Sequence, residues 1–229
     1  MLLFHPMDFL IIIAFGIALW AQLKVSSNFN TWSQVPASSG LSGAEVARMI
    51  LDRNGLYDVP VEVIPGRLTD HYDPISRVVR LSEPVYYGRS IAAISVAAHE
   101  VGHAVQHQQA YGALVLRHRM FPIVNFTSGV APFLLLIGFL LHQLSLIGLG
   151  IIFFSFAVAF QVITLPVEFN ASSRAKKFML AEGLIYPDEK RGVNKVLGAA
   201  ALTYVAATLI SVLELLKYVL IFTQNNNEE

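Results

Sequence analysis

The sequence predicts a mainly α-helical, multi-pass membrane protein: a four-helix transmembrane bundle with a small α+β cytoplasmic module. Three observations predict it. Apolar residues make up 55% of the 229-residue chain and charged residues only 14%, with a mean hydropathy of +0.56; soluble domains carry about 25% charged residues. Four apolar stretches are long enough to cross a hydrocarbon core of ~30 Å as helices, the form in which a single segment satisfies its own backbone in lipid. Nearly all Lys and Arg fall in two segments, 24–119 and 174–195, and Lys217 alone lies elsewhere.

The first span is read at residues 7–23, with Asp8 as its one charge. A signal peptide would open on basic residues, which positions 1–8 lack, so the segment is read as an uncleaved anchor. The apolar run 121–167 is too long for one helix. His142-Gln143 and Ser145 offer a polar turn near its middle, and a helical hairpin follows. The fourth span runs over 196–222 and carries Glu214 and Lys217, spaced i, i+3, which are expected to pair with each other. With four spans the two basic segments share one side of the membrane, and the positive-inside rule makes that side cytoplasmic. Both termini, including the acidic tail 225–229, then lie outside. The expected divisions are 1–24, 25–119, 120–167, 168–195 and 196–229.

The segment 25–119 is large enough to fold outside the bilayer. Ser42-Gly43-Ala44-Glu45 matches a capping box and opens a helix with Val46, Met49 and Ile50 on its apolar face, ended by Gly55. Extended segments are expected at 59–64 and 77–81, with Gly66 and Asp73-Pro74 turning the chain between them. From Ser90 to Tyr111 the chain reads as one long helix.

That last helix carries His99-Glu100-Val101-Gly102-His103. Histidines at i, i+4 project from one helix face and can reach one metal ion, and neutral imidazole suits zinc. The chain has no cysteine, so any zinc must be held by His, Asp or Glu. Glu100 between the two ligands has the position of a general base: it would accept a proton from the attacking water and return it to the leaving amine. The apolar run 91–98 buries this helix, and buried imidazoles need partners that a metal can provide. Gly102 lets another backbone approach closely. A third ligand is required. His5 and His142 fall on the opposite side of the bilayer, which leaves His71, His107, His118 and the cytoplasmic carboxylates. Of these, Glu168, just past the third span, is the choice; a helix restarting at Pro166 would favour an ionised carboxylate there.

The stretches His71-Tyr72-Asp73-Pro74, Ala97 to His107, Leu165-Pro166-Val167-Glu168-Phe169-Asn170-Ala171-Ser172, and Ala200 to Ala207 resemble the YugP-like bacterial membrane zinc metallopeptidases across nearly the whole chain. The resemblance implies a membrane hydrolase with a gluzincin-like site: Zn2+ on His99, His103 and Glu168, with Glu100 as base. More distantly the chain is similar to the HtpX class of membrane proteases, whose third-ligand motif reads Glu-x-x-x-Asp; here Ser172 stands at the Asp position.

Other residues carry weaker signals. His107 lies one turn beyond His103 on the same face. His71 precedes a turn-forming Asp73-Pro74. Tyr204 is most simply a packing aromatic. The segment 77–82 is expected to be an exposed strand edge that could add a peptide strand. Arg174, Lys176 and Lys177 read as lipid-headgroup contacts. The function expected is zinc-dependent endopeptidase action on protein or peptide substrates at the cell membrane, with lipid as surroundings. The alternative is a membrane scaffold with a structural zinc site. Zero net charge gives no field for nucleic acid. The sequence admits an oligomer or a membrane-protein partner without identifying one.

Overall fold

The computed structural model describes residues 5–226; positions 1–4 and the acidic end of the tail, 227–229, lie outside them. Seven helices and three strands follow in the order α1 (Pro6–Ser33), α2 (Gly43–Arg53), β1 (Val61–Ile64), β2 (His71–Asp73), β3 (Val78–Ser82), α3 (Glu83–Tyr86), α4 (Ile91–Gln108), α5 (Gly112–Leu140), α6 (Leu144–Ala181) and α7 (Lys190–Asn226). α1, α5, α6 and α7 are long and apolar enough to cross a membrane, as expected for four spans. All four extend beyond the stretches read from hydropathy. α6 runs unbroken through Pro166, which removes one N–H from the helical ladder without ending it. The expected helix restart at Pro166 does not occur, so Glu168 sits inside a long helix and gains nothing from a helix N-terminus.

Contacts divide the chain into two compact units. Among the described residues the first comprises 5–20, 115–165 and 202–226. Its hairpin turns at 141–143, where the sequence placed it. Large apolar side chains such as Phe9, Phe133, Leu136 and Leu140 are exposed, as befits surfaces bathed in hydrocarbon. Lys217 pairs with Asp8, across from α7 to α1. The expected Glu214–Lys217 pairing is therefore corrected: the lysine's partner comes from a helix some two hundred residues away, and the two charges neutralise each other between helices.

The second unit comprises 21–114 and 166–201, so the ends of the long helices join the module read at 25–119. The capping box is formed: Glu45 N–H donates to Ser42 Oγ (3.2 Å), and Ser42 N–H to Glu45 Oε2 (2.7 Å). Gly55 closes α2 with φ of +73°, a conformation that favours glycine. Val46, Ile50 and Leu51 of α2 pack on Ile94, Val101 and Val105 of α4, with Ala175 and Met179 of α6 and Val193 and Leu197 of α7 in the same core. Each fully buried aliphatic of this kind contributes roughly 1.5–3 kcal/mol.

The sheet differs from expectation. It has three strands in the order β1-β3-β2, with β3 parallel to β1 and antiparallel to β2. The missed strand is His71–Asp73, read from sequence as part of a turn because it is only three residues long and runs directly into Pro74. β3 is central, with Val78, Val79, Leu81 and Ser82 buried. Both its edges are occupied, so the expectation of an exposed edge at 77–82 able to accept a peptide is overturned. Arg80, its half-exposed member, pairs with Asp73 (2.8 Å) and Glu62 (3.4 Å) on the flanking strands.

Replacing the cap by Ser42→Ala is expected to destabilise the start of α2 by about 1 kcal/mol, seen as roughly fivefold faster hydrogen exchange of its first-turn amides.

Candidate metal centre

α4 begins at Ser90, whose Oγ accepts the N–H of Ala93 (3.2 Å), and its first two turns are buried. This fixes the helix that carries both histidines. Their rings stand nearly perpendicular (87°), with centroids 4.8 Å apart. Glu168 of α6, 4% exposed, faces them. Its Oε2 lies 3.4 Å from His99 Nε2 and 3.6 Å from His103 Nε2. One donor atom from each residue lies within 4.8 Å of the others, and His71, His107 and His118 are not part of this group.

The spacing tests whether zinc fits. Two ligands bonded to zinc at ~2.0–2.1 Å with a tetrahedral angle between them lie about 3.3 Å apart. The two measured His–Glu separations are close to that value. Three protein donors of the right chemistry, with one tetrahedral position left over, are what a catalytic zinc site requires. The residues present fit the ion.

α4 and α6 can bring these groups together because of Gly102. A Cβ built at this position would lie 2.8 Å from the carbonyl oxygen of Ala171 and 3.2 Å from its Cα. Backbone meets backbone here, between His99 and His103 on α4 and about one turn past Glu168 on α6. The expectation attached to Gly102 holds, and Ala171 is the element that approaches.

Each histidine is also held from behind. His99 Nδ1 is 3.1 Å from Ser172 Oγ, and His103 Nδ1 is 3.0 Å from Gln106 Oε1. A partner on Nδ1 orients the ring and leaves Nε2 for the metal. Ser172 is thus the side chain that stands behind His99. Gln106 was not singled out from sequence, although its i+3 spacing from His103 places it on the same face. Asn170 was missed too, and it extends the network: its Oδ1 accepts from Gln106 Nε2 (3.0 Å) and from Arg174 Nε (2.7 Å). Arg174 donates as well to Gln109 Oε1 (2.7 Å), so its guanidinium is engaged with protein, where headgroup contact was expected.

The electrostatics favour a cation. Burial alone would push the His103 imidazole down, but the Glu168 carboxylate beside it outweighs burial and holds the imidazole above its ordinary value. Glu100 is buried, 8% exposed, and its charge acts on His103 and on Asp70. Asp70 accepts from Ser82 N–H (2.7 Å) and Oγ (3.0 Å), yet burial, with the Glu100 charge adding to it, raises its carboxyl above the usual range.

The remaining candidates fall elsewhere. His71 is exposed, with Nδ1 2.8 Å from the Thr69 carbonyl. His107 Nδ1 is 2.8 Å from the Tyr72 hydroxyl, which ties the end of α4 to β2. His118 lies on α5 and Tyr204 on α7.

Comparison with known proteins is consistent with this centre. The family described as "Putative neutral zinc metallopeptidase" matches residues 7–223. A relative in Bacillus subtilis (strain 168), "Putative membrane protease YugP", is 69% identical over 220 residues, 96% of this chain and 98% of the relative. No solved structure matches the chain.

Gly102→Ala is expected to force α4 and α6 apart and weaken zinc binding at least about tenfold in chelator competition. Gly112→Ala, where an added Cβ meets nothing within 4 Å, should leave it unchanged.

Proposed function

From its membership of the neutral zinc metallopeptidase family, to which this chain belongs, we propose that the protein is a membrane-embedded, zinc-dependent endopeptidase acting on membrane or membrane-adjacent proteins. The observation that carries this reading is the convergence of His99 Nε2, His103 Nε2 and Glu168 Oε2 at zinc-like separations, with Nδ1 of both rings already partnered.

In this reading His99, His103 and Glu168 hold the ion in a gluzincin-like arrangement. The chemistry supplied by bound zinc is polarisation of the scissile carbonyl and acidification of a water towards a pKa of ~7. Glu100 does the proton work. It stands next in sequence to His99, within electrostatic reach of His103 and buried from bulk solvent. It takes the proton of the attacking water and delivers it to the amine nitrogen as the peptide bond breaks. Ser172 and Gln106 hold the imidazoles in place through both steps. A site that served only structure would have no use for the Glu100 carboxylate, and this separates the peptidase reading from a zinc-bearing scaffold.

The distribution of Lys and Arg supports a cytoplasmic active site. Substrates reaching it would be cytoplasmic loops or tails, or segments leaving the bilayer on that side.

Purified in detergent, Glu100→Gln is expected to keep its zinc while cleavage of membrane-extract proteins falls by about 10²–10⁴. His99→Ala and Glu168→Ala should lose both metal and cleavage. Unchanged cleavage by Glu100→Gln would remove Glu100 from its role. Orientation is separately testable because the chain has no cysteine. Ile75→Cys, at a position 93% exposed, should resist an impermeant maleimide in intact cells and react once they are opened. Labelling of intact cells would put the module outside.

A further inference from the structure

The fully buried polar side chain beside the metal centre is Gln106, 0% exposed. Its amide is gripped at both ends, and the groups gripping it leave no freedom in which end is which. Gln106 Nε2 lies 2.8 Å from the main-chain carbonyl of Val167. A carbonyl only accepts, so the end facing it must be the NH2 group. The same NH2 donates to Asn170 Oδ1. The orientation of Asn170 is fixed in turn by Arg174, whose guanidinium only donates, so the end of Asn170 that faces it must be the oxygen. With the NH2 of Gln106 committed, its Oε1 is what remains for His103 Nδ1 at 3.0 Å. An amide oxygen only accepts. His103 must therefore carry its hydrogen on Nδ1.

We propose that Gln106, Asn170 and Arg174 form a positioning chain that presets His103 in the Nδ1–H tautomer, so that the Nε2 lone pair already points at the metal position. The two histidines are then not equivalent. His99 Nδ1 meets the hydroxyl of Ser172, and a hydroxyl can donate or accept, so Ser172 orients that ring without dictating its tautomer. His103 is the prearranged ligand and His99 the adaptable one. The chain spans α4 and α6 on the side of His103 away from Glu168, so it also ties His103 to the helix that supplies the third ligand. These residues touch neither substrate nor metal; they act through His103.

The inference rests on the zinc reading above, and the experiment separates the two. The full chain is purified in detergent as wild type, Gln106→Met, Asn170→Leu, Asn170→Asp and Ser172→Ala. Zinc affinity is measured by chelator competition, and the tautomer of His103 by ¹⁵N spectra of metal-free protein with labelled histidine, recorded at a pH high enough that the ring is neutral. Wild-type His103 should give the Nδ1–H signature. Gln106→Met and Asn170→Leu should weaken zinc about 10–100-fold, whereas Asn170→Asp, which still accepts from both Gln106 and Arg174, should stay within about threefold of wild type. Ser172→Ala should cost less than Gln106→Met. An Nε2–H signature in wild type, wild-type zinc affinity in Gln106→Met, or an Asn170→Asp no better than Asn170→Leu would each overturn the proposal. If wild type shows the Nδ1–H signature but binds no zinc, the zinc reading fails and the tautomer assignment stands.

Discussion

The close approach of α4 and α6 at Gly102 and Ala171 sets the distance on which everything around the metal centre depends. The three candidate ligands on two helices converge only if the helix axes come nearer than ordinary side chains permit. The hydrogen on Gly102 where others have a methyl is what permits it. His99 and His103 flank the contact on one helix; Glu168 and Ser172 flank it on the other. Hence the same contact that lets Glu168 Oε2 reach both Nε2 atoms lets Ser172 reach His99 Nδ1 and Asn170 reach Gln106, which holds His103.

Such a site is costly to bury unless its polar groups are satisfied, because each unsatisfied buried donor or acceptor forfeits about 1–3 kcal/mol. The structure meets that cost with a network in which groups of fixed role stand at the ends, the Val167 carbonyl and the Arg174 guanidinium, and amides of adaptable role lie between them. The apolar core of α2, α4 and the adjoining ends of α6 and α7 holds this network in place. The same principle appears in the membrane-spanning unit, where Lys217 and Asp8 satisfy each other.

Much of this was legible from sequence, and the reason is locality. Helix α2 with its capping box, the hairpin turn near His142, the long α4 and the pairing of His99 with His103 on one face all follow from spacings of a few residues. The four spans follow from composition. The readings that failed were of another kind. The segment 77–82 was taken for an edge strand because its pattern tolerates exposure, but an edge is defined by which strands lie alongside, and His71–Asp73 is too short to announce itself. Glu214 was assigned to Lys217 because they are neighbours, while Asp8 is the partner that the lysine found. Pro166 was read as a helix start, yet α6 passes through it unbroken, which local sequence does not reveal.

The sequence by itself determined the spans, the helix that carries both candidate histidines and the chemical types of the candidate ligands, since periodicity and side-chain chemistry act over single turns of one helix. Only the tertiary structure decided that Ser172, Gln106, Asn170 and Arg174 stand behind the histidines, that β3 is central and that α6 is continuous. The first of those facts depends on segments some sixty to seventy residues apart meeting within hydrogen-bond distance, and no short-range spacing encodes where two packed helices touch.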